Sequence, residues 1–241
     1  MQTQQNRTIG ILGGMGPLAT VDLFRRIVEM ADSPNDQGHP RVLIDSNTNI
    51  SDRTAAILNG GADPLPEMVR SALLLERGGA DVLIMGCNTA HYFYPEICRF
   101  VHLPFLNMLE ETAKAALDKG FKSVGLLATD GTIRSGVYAR EFEHHGIELL
   151  TPGPEGQKAL MEMIYSGVKA GKTTWPTEAV AQVLSDLAGR GARAAVLGCT
   201  ELPLAFENYR IESPLPLLDP TAILAKSALM AVGSKIRAEF L

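Results

Sequence analysis

The stretch VLIMGCNT at residues 82–89 recurs as AAVLGCTE at residues 194–201. Cys87 and Cys199 therefore occupy matching places 112 residues apart (199 − 87 = 112). Each cysteine follows a glycine and a run of four apolar residues. A run this uniformly apolar is typical of a strand that is buried on both faces of a parallel sheet. We predict that both cysteines lie just beyond the ends of such strands.

The repeat extends beyond the two cysteines. Leu103-Pro104 matches Leu215-Pro216 at the same spacing of 112, and IGILGG at residues 9–14 is echoed by VGLLAT at residues 124–129, now at a spacing of 115. A spacing that is kept over this length predicts two copies of one structural unit.

Predicted strands and helices alternate along the chain, which is typical of parallel sheets covered by helices. The predicted strands are residues 8–12, 42–44, 82–85, 103–106, 124–127, 147–150, 194–197 and 215–218. The predicted helices are residues 17–30, 66–77, 110–119, 135–144, 155–170 and 177–190, with a last helix that ends near residue 237. We expect an α/β protein of two pseudosymmetric Rossmann-like domains, each a mostly parallel four-stranded sheet flanked by helices, with the active site in the cleft between the domains. By the symmetry of the repeat, residues 1–106 plus 217–241 form a discontinuous N-terminal domain and residues 107–216 form the C-terminal domain.

Composition excludes several classes of function. The chain has 241 residues and a net charge of −5, and its lysines and arginines are spread rather than clustered, so we expect neither nucleic acid nor a membrane surface as a partner. Its apolar runs fall short of the ~20 residues of a membrane span, and residues 1–7 resemble no secretory signal. Three cysteines, an odd number, indicate the reducing cytoplasm rather than a disulfide framework.

Two thiols at matching strand ends are suited to proton transfer. If the two copies face each other, one thiol reaches each face of a substrate carbon, and a proton is removed on one side and returned on the other. Cysteine is also a common small core residue, which remains the alternative for either thiol alone. Zinc is a further alternative, since Cys87 and His91 are spaced i, i+4, but no second pair of ligands is evident.

Polar residues around the predicted strand ends are candidates for substrate binding. The turn GGMGP at residues 13–17, which includes Met15, opens a helix and suits a small carboxylate better than a dinucleotide, because it lacks the spacing G-x-G-x-x-G. Asn47 lies in the polar run after the second strand. Arg53 either binds a carboxylate or pairs with Asp52. Lys169 either binds a carboxylate or interacts with the helix dipole at the end of its helix.

These motifs together resemble one family. GGMGPLAT at residues 13–20, CNTAH at residues 87–91 and GCTEL at residues 198–202 are similar to the aspartate/glutamate racemase superfamily, nearest its aspartate racemase branch. The resemblance runs over essentially the whole chain. It implies a PLP-independent, metal-free, two-base mechanism in a pseudosymmetric two-domain fold that is usually dimeric.

The resemblance also assigns roles. Cys87 and Cys199 fall on the two catalytic thiols, and Arg53 and Lys169 on the basic residues that hold the substrate's side-chain carboxylate in aspartate racemases. The residues that we expect to bind substrate are Met15, Asn47, Arg53, Asn88, Thr89, Thr129, Lys169, Thr200 and Glu201. Glutamate racemases carry Asp in the first turn and His after the second Cys-Thr, where this chain has Gly-Gly-Met and Glu201.

We therefore expect a cytoplasmic, homodimeric isomerase that interconverts L- and D-aspartate, or a related acidic amino acid, without cofactor or metal. Other chemistries remain open on the same scaffold, namely glutamate or hydantoin racemisation, maleate isomerisation and decarboxylation. A non-catalytic amino-acid-binding module and a structural or interaction protein are the alternatives from other classes. The two-thiol mechanism requires sulfur atoms roughly 7–10 Å apart, about two near-attack distances plus the carbon between them.

Overall fold

The computed structural model describes residues 7–240, which form seven strands and eleven α-helices. The strands are β1 (Thr8–Gly13), β2 (Arg41–Ser46), β3 (Val82–Met85), β4 (Ser123–Ala128), β5 (Glu148–Leu150), β6 (Ala195–Gly198) and β7 (Leu217–Leu218). The helices are α1 (Pro17–Met30), α2 (Arg53–Asn59), α3 (Leu65–Arg77), α4 (Tyr94–Ile97), α5 (Met108–Asp118), α6 (Asp130–Ser135), α7 (Val137–His144), α8 (Pro154–Glu162), α9 (Glu178–Gly189), α10 (Glu201–Tyr209) and α11 (Pro220–Ala231). A 3₁₀ turn spans Thr89–Phe93, and α8 continues as a π-helical segment over Met163–Val168.

Two parallel sheets hold these strands. One has the order β2-β1-β3 and the other the order β5-β4-β6-β7, and every pair of neighbouring strands is parallel. The predicted α/β fold class with two parallel sheets is confirmed, but the first sheet has three strands rather than four. The predicted strand at residues 103–106 is reduced to one bridge between Leu83 and Phe105. Leu83 donates to the carbonyl of Pro104 and accepts from the N–H of Leu106, and the ladder does not continue to a second residue pair, so no strand forms at this place.

The repeat is present in the pairing of the strands. Ile11 of β1 pairs with Ile84 of β3, and the residues 115 and 112 positions further on, Leu126 and Val196, pair in the second sheet. The two central strand pairs therefore have the same register, which is what two copies of one unit require.

The repeat is present in the packing as well. A Cβ on Gly10 would lie 2.7 Å from Leu83 and 3.3 Å from Leu75, and a Cβ on Gly125, 115 positions later, would lie 2.8 Å from Leu187. Leu75 and Leu187 are themselves 112 residues apart (187 − 75 = 112). A glycine in each central strand lets the matching leucine of the covering helix approach the sheet closely. Each sheet thus has its own core of buried leucine, isoleucine and methionine side chains.

The chain divides into two compact units. Unit 1 comprises the described residues of Met1–Asp52, Ala62–Met108 and Thr221–Leu241, and unit 2 comprises Arg53–Gly61 and Leu109–Pro220. The predicted boundaries place residues 53–61 with the N-terminal part, whereas in the structure they pack in unit 2. The reason is α2, where the Cα of Thr54 lies 3.1 Å from the place that a Cβ on Gly131 would occupy. A residue without a side chain at position 131 permits α2 to lie directly against α6.

Several helices differ from the sequence-based expectation. The expected helix at residues 135–144 is preceded by a separate helix, α6, which ends at Gly136 with a left-handed φ of 68°. The helices α2, α4 and α6 have four to seven residues, too short for a clear apolar periodicity. In the part of the chain that is described, we find no helix with the length and apolar character that a membrane span requires.

Candidate active site

Cys87 and Cys199 lie at matching places, each within two residues of the end of a buried strand. Cys87 follows β3 and Gly86 in unit 1, and Cys199 follows β6 in unit 2. Both are free thiols, with 5% and 6% of their surface exposed. The carboxyl ends of parallel strands are where α/β folds hold their ligands.

In unit 1 a 3₁₀ turn begins two residues after Cys87. Asn88 and Thr89 are buried at the start of the 3₁₀ turn, as is His91 two residues further on. The Nδ1 atom of His91 lies 2.8 Å from the carbonyl oxygen of Cys87. This contact fixes the peptide that carries the thiol.

The glycine turn of unit 1 is held by side chains of the same unit. Gly14 has a φ of 88°, and a Cβ there would lie 2.5 Å from the backbone of Asn47. Its N–H donates to Oγ1 of Thr20 at 2.9 Å, and that hydroxyl donates to the carbonyl of Gly16. The N–H of Gly14 is therefore used within the turn, which leaves fewer backbone donors for a substrate carboxylate than the sequence suggested. Met15, a predicted site residue, is buried.

Asn47 is engaged within unit 1. Its Nδ2 donates to Glu67 at 3.2 Å and to Ser71 at 3.1 Å, and its Oδ1 accepts from the N–H of Asn49. These contacts serve to join β2 to α3. A role for Asn47 in binding substrate stays a prediction.

In unit 2 the carboxylate of Glu201 holds the second thiol. The Sγ of Cys199 donates to Oε2 of Glu201 at 3.0 Å, and the hydroxyl of Thr200 donates to the same oxygen at 3.3 Å. Glu201 is the first residue of α10 and is 6% exposed. Its carboxylate therefore lies at the positive end of a helix dipole, which stabilises the negative charge there.

Lys169 lies on the other side of that carboxylate. Its Nζ is 3.9 Å from Oε1 of Glu201 and 4.5 Å from the ring centre of Tyr165. The π-helical segment before Lys169 places Tyr165 and Lys169 on one side of the helix. Tyr165, one turn before Lys169, is a neighbour that the sequence analysis missed, although the i, i+4 spacing could have indicated it.

The electrostatics of unit 2 keep a proton on Cys199. Burial raises the pKa of the Cys199 thiol well above its usual range, and the charge of Glu201 raises it further, whereas the ammonium group of Lys169 lowers it. Cys199 is consequently a thiol rather than a thiolate at neutral pH in this structure.

The remaining candidates of unit 2 lie at helix starts. Arg53 is the first residue of α2, and Thr129 is the N-cap of α6, where its hydroxyl accepts from the N–H of Thr132 at 3.3 Å. Unit 2 therefore holds both predicted basic residues, Arg53 and Lys169, although they are 116 positions apart in the chain (169 − 53 = 116).

The predicted site residues divide between the units. Unit 1 carries the uncharged candidates Met15, Asn47, Cys87, Asn88 and Thr89. Unit 2 carries Arg53, Thr129, Lys169, Cys199, Thr200 and Glu201. All of the charged candidates thus belong to one unit.

Zinc does not suit His91 as the structure has it, because both ring nitrogens contact the backbone, Nδ1 at Cys87 and Nε2 at Met108. Within residues 7–240 we also find no cluster of three or more His, Cys, Asp or Glu side chains that could hold a metal ion.

Comparisons with known proteins indicate the family to which the chain is similar. Residues 12–228 match the family model described as Asp/Glu/Hydantoin racemase. The chain is 29% identical over 234 residues to the broad specificity amino-acid racemase RacX of Bacillus subtilis, covering 92% of this chain and 96% of that protein. The solved structure of the Picrophilus torridus aspartate racemase has a TM-score of 0.81 and 30% identity, over 97% of both chains.

A second solved structure supports the fold alone. The aspartate racemase homologue of Pyrococcus horikoshii OT3 has a TM-score of 0.78 at 24% identity, over 95% of this chain and 100% of that chain. With a family match that covers most of its length, this chain belongs to the Asp/Glu/hydantoin racemase family.

Proposed function

We propose that this amino-acid racemase interconverts L- and D-aspartate, or a related acidic amino acid, by proton transfer between Cys87 and Cys199 and without a cofactor. The observation that carries the proposal is the pair of free, nearly buried thiols at matching ends of β3 and β6. A lone buried cysteine is an ordinary core residue, but two at equivalent places of a repeat call for a shared function.

The reaction requires one base and one acid in each direction. The Cys199 thiolate takes the α-proton of the L-isomer and becomes a thiol, while the Cys87 thiol gives its proton to the opposite face and becomes a thiolate. In the reverse direction Cys87 is the base and Cys199 the acid. The protonated state of Cys199 at rest suits the direction from D to L.

Glu201 has a role in resetting the site. Cys199 must lose its proton before it acts on an L-substrate, and the carboxylate that accepts its hydrogen bond at 3.0 Å is the available acceptor. The cation of Lys169 near the same carboxylate lowers the pKa of Cys199 and so favours that loss.

An acidic substrate is supported by the charges of unit 2. Arg53 and Lys169 are the candidate partners for the side-chain carboxylate, and the resemblance to aspartate racemases assigns them that role. The Picrophilus torridus aspartate racemase, at 30% identity over nearly the whole chain, favours aspartate.

A broad-specificity racemase is the second candidate. Lys169 lies 3.9 Å from Glu201, so its charge is partly used within the protein. A weaker carboxylate clamp would discriminate less between acidic and neutral amino acids. The relative in Bacillus subtilis, which is named for broad specificity, favours the same interpretation.

One experiment separates these possibilities. The purified protein is incubated in D₂O with each enantiomer of aspartate, glutamate, alanine and lysine, and α-deuterium and chirality are followed. Racemisation of aspartate with little turnover of alanine supports the first candidate, and similar rates support the second. Absence of both deuterium exchange and racemisation on every substrate would overturn the proposal.

The same proposal includes a reaction without cofactor or metal, a homodimer and a cytoplasmic location. We expect chelators and carbonyl reagents to spare turnover and thiol alkylation to abolish it. Loss of activity with EDTA and its recovery with zinc would contradict a metal-free mechanism. The resemblance supports a homodimer, which light scattering tests, and the free cysteines support a cytoplasmic location.

A further inference from the structure

The ring of His91 is buried between two backbone groups of unit 1. Its Nδ1 lies 2.8 Å from the carbonyl oxygen of Cys87, and its Nε2 lies 3.1 Å from the N–H of Met108. Only 4% of the residue is exposed. The side chain therefore joins the peptide of the first thiol to a point 17 residues beyond His91 in the chain.

The chemistry of the two partners determines where the ring carries its proton. A carbonyl oxygen only accepts, so Nδ1 must carry the hydrogen, and a backbone N–H only donates, so Nε2 must be bare. The ring is thus neutral and in one tautomer. Burial agrees with this, since it lowers the pKa of His91 to about 4. Both nitrogens are occupied, so the ring has no proton to exchange with a thiol.

Met108 is the first residue of α5, and the first N–H groups of a helix lack intrahelical acceptors. The Nε2 of His91 supplies such an acceptor at the helix start. A second tie runs beside it, because the hydroxyl of Tyr94 donates to the carbonyl of Phe105 and its ring stacks on His91 at 5.8 Å. Residues 87–94 are in this way attached to residues 105–108.

The other copy of the repeat shows what this tie is for. The residue 112 positions after His91 is Pro203, which offers no acceptor, and the residue 112 positions after Met108 is Pro220, the first residue of α11. Proline has no N–H, so the start of α11 needs no acceptor at that place. The donor and the acceptor are present together in unit 1 and absent together in unit 2.

We propose that His91 is the positioning residue of Cys87, which fixes the thiol's peptide through Nδ1 and anchors it to the start of α5 through Nε2. The catalytic effect of this positioning rests on the proposed two-thiol function. The two hydrogen bonds of the His91 ring do not depend on that function.

The tautomer is tested first, on the wild-type protein with ¹⁵N-labelled histidine. We expect one of the five histidines to show a protonated Nδ1 and a bare Nε2 at pH 7, and that signal to be missing in His91→Asn. A protonated Nε2, or a charged ring, at His91 would overturn the proposal. This measurement needs no activity.

Thiol reactivity is tested next, by alkylation with iodoacetamide and peptide mapping of each cysteine. His91→Asn retains a donor near the Nδ1 place, and His91→Gln retains a polar group near the Nε2 place. His91→Gln loses the hydrogen bond from Nδ1 to the Cys87 carbonyl, and the loss of about one hydrogen bond corresponds to about a fivefold increase in local opening, so we expect Cys87 in this variant to react about fivefold faster. Cys199 in the same protein serves as the internal reference, and its rate should stay constant.

Tyr94→Phe is the matched control. It removes the parallel tie to Phe105 but leaves the contact between His91 and Cys87, so the alkylation rate of Cys87 should stay near that of the wild type. An unchanged Cys87 rate in both His91 variants, or an equal change in Cys199, would overturn the proposal.

The catalytic consequence is read from single-thiol backgrounds. With Cys199→Ser, α-deuterium exchange of the D-isomer depends on Cys87, and a misplaced thiol should lower it by about 100-fold in His91→Gln. With Cys87→Ser, exchange of the L-isomer depends on Cys199, and His91→Gln should leave it unchanged. An equal loss in both backgrounds would indicate general damage and overturn the assignment. If neither background exchanges at all, the two-thiol function fails, while the tautomer and alkylation results still decide the role of His91.

Discussion

The two thiol loops occupy the same place in the repeat but are held in different ways. At Cys87 the contact is to the backbone, since the neutral ring of His91 donates to the carbonyl oxygen of Cys87. At Cys199 the contact is to the sulfur, since the thiol donates to the charged carboxylate of Glu201. The first arrangement fixes position and the second fixes protonation.

A repeat can therefore keep its geometry while its two halves carry different charges. The strand register and the packing glycines agree between the copies. The charged candidates do not, since they all lie in unit 2. In unit 2 the pKa of the Cys199 thiol is raised by burial and by the carboxylate of Glu201 and lowered by the ammonium group of Lys169.

The largest expected effect follows from removal of either thiol. Cys87→Ser and Cys199→Ser should each lower racemisation in both directions by about 1,000-fold or more, because each direction needs one acid and one base. Exchange on one face should survive, into the L-isomer for Cys87→Ser and into the D-isomer for Cys199→Ser, as chiral chromatography and mass spectrometry can show. The control is Cys98→Ser, which should racemise normally. Full racemase activity in either of the first two variants would contradict the proposed mechanism, and reciprocal exchange would reverse the assignment of the thiols.

The next effect concerns the neutral ring in unit 1. The folded protein lowers the pKa of His91 from 6.5 to about 4, so between these values the unfolded chain binds more protons. The neutral His91 ring therefore contributes to the free energy of unfolding in full above pH 6.5. This contribution is lost as the pH falls toward 4, by about 3 kcal/mol in total. Urea unfolding at several pH values should show this fall in the free energy of unfolding in the wild type. In His91→Asn the free energy of unfolding should have a flatter slope against pH.

His102→Asn, at an exposed histidine, is the matched control and should keep the wild-type slope. A slope that is equal in the wild type and in His91→Asn would mean that the ring is not held neutral. The two thiol loops would then differ less than we infer.

A smaller effect concerns the charged partner in unit 2. Glu201→Gln keeps a hydrogen-bond acceptor but removes the negative charge that raises the pKa of Cys199, so this pKa should fall. Each unit of that fall gives about ten times more thiolate at a pH below the pKa, and we expect alkylation of Cys199 at pH 7.5 to rise about tenfold. Cys87 in the same sample is the reference. A slower reaction at Cys199 would show that Glu201 favours the thiolate instead.

The smallest expected effect concerns Arg53 of unit 2 and tests whether it binds the side-chain carboxylate of the substrate. Arg53→Lys keeps the charge but loses the planar fork that binds a carboxylate at two points. With about one hydrogen bond lost, kcat/KM for aspartate should fall about fivefold, whereas that for alanine should stay constant. Arg190→Lys, at an arginine that donates to the carbonyl of Thr151, is the matched control. An equal fall for both substrates would remove Arg53 from the carboxylate clamp.

Much of the fold could be predicted from the sequence, because it follows local patterns. Uniform apolar runs predicted β3 and β6, and the matched GC motifs predicted the repeat, since buried parallel strands need such runs and a repeat keeps its spacing. The fourth strand of the first sheet is wrong, because Leu103-Pro104 has the same pattern as Leu215-Pro216 while only one residue pairs there. The short helices were missed, since seven residues or fewer carry little periodicity.

The two thiols, their equivalence and the polar residues beside them could all be found from the sequence, since each lies in or next to a motif that can be compared along the chain. The partners of these groups could be found only in the folded chain. It placed α2, and with it Arg53, in unit 2, because Gly131 leaves room for Thr54. It joined His91 to the N–H of Met108 and Glu201 to Lys169. A hydrogen bond between residues 17 positions apart and a charge pair between residues 32 positions apart (201 − 169 = 32) depend on how the chain folds back, which no local pattern records.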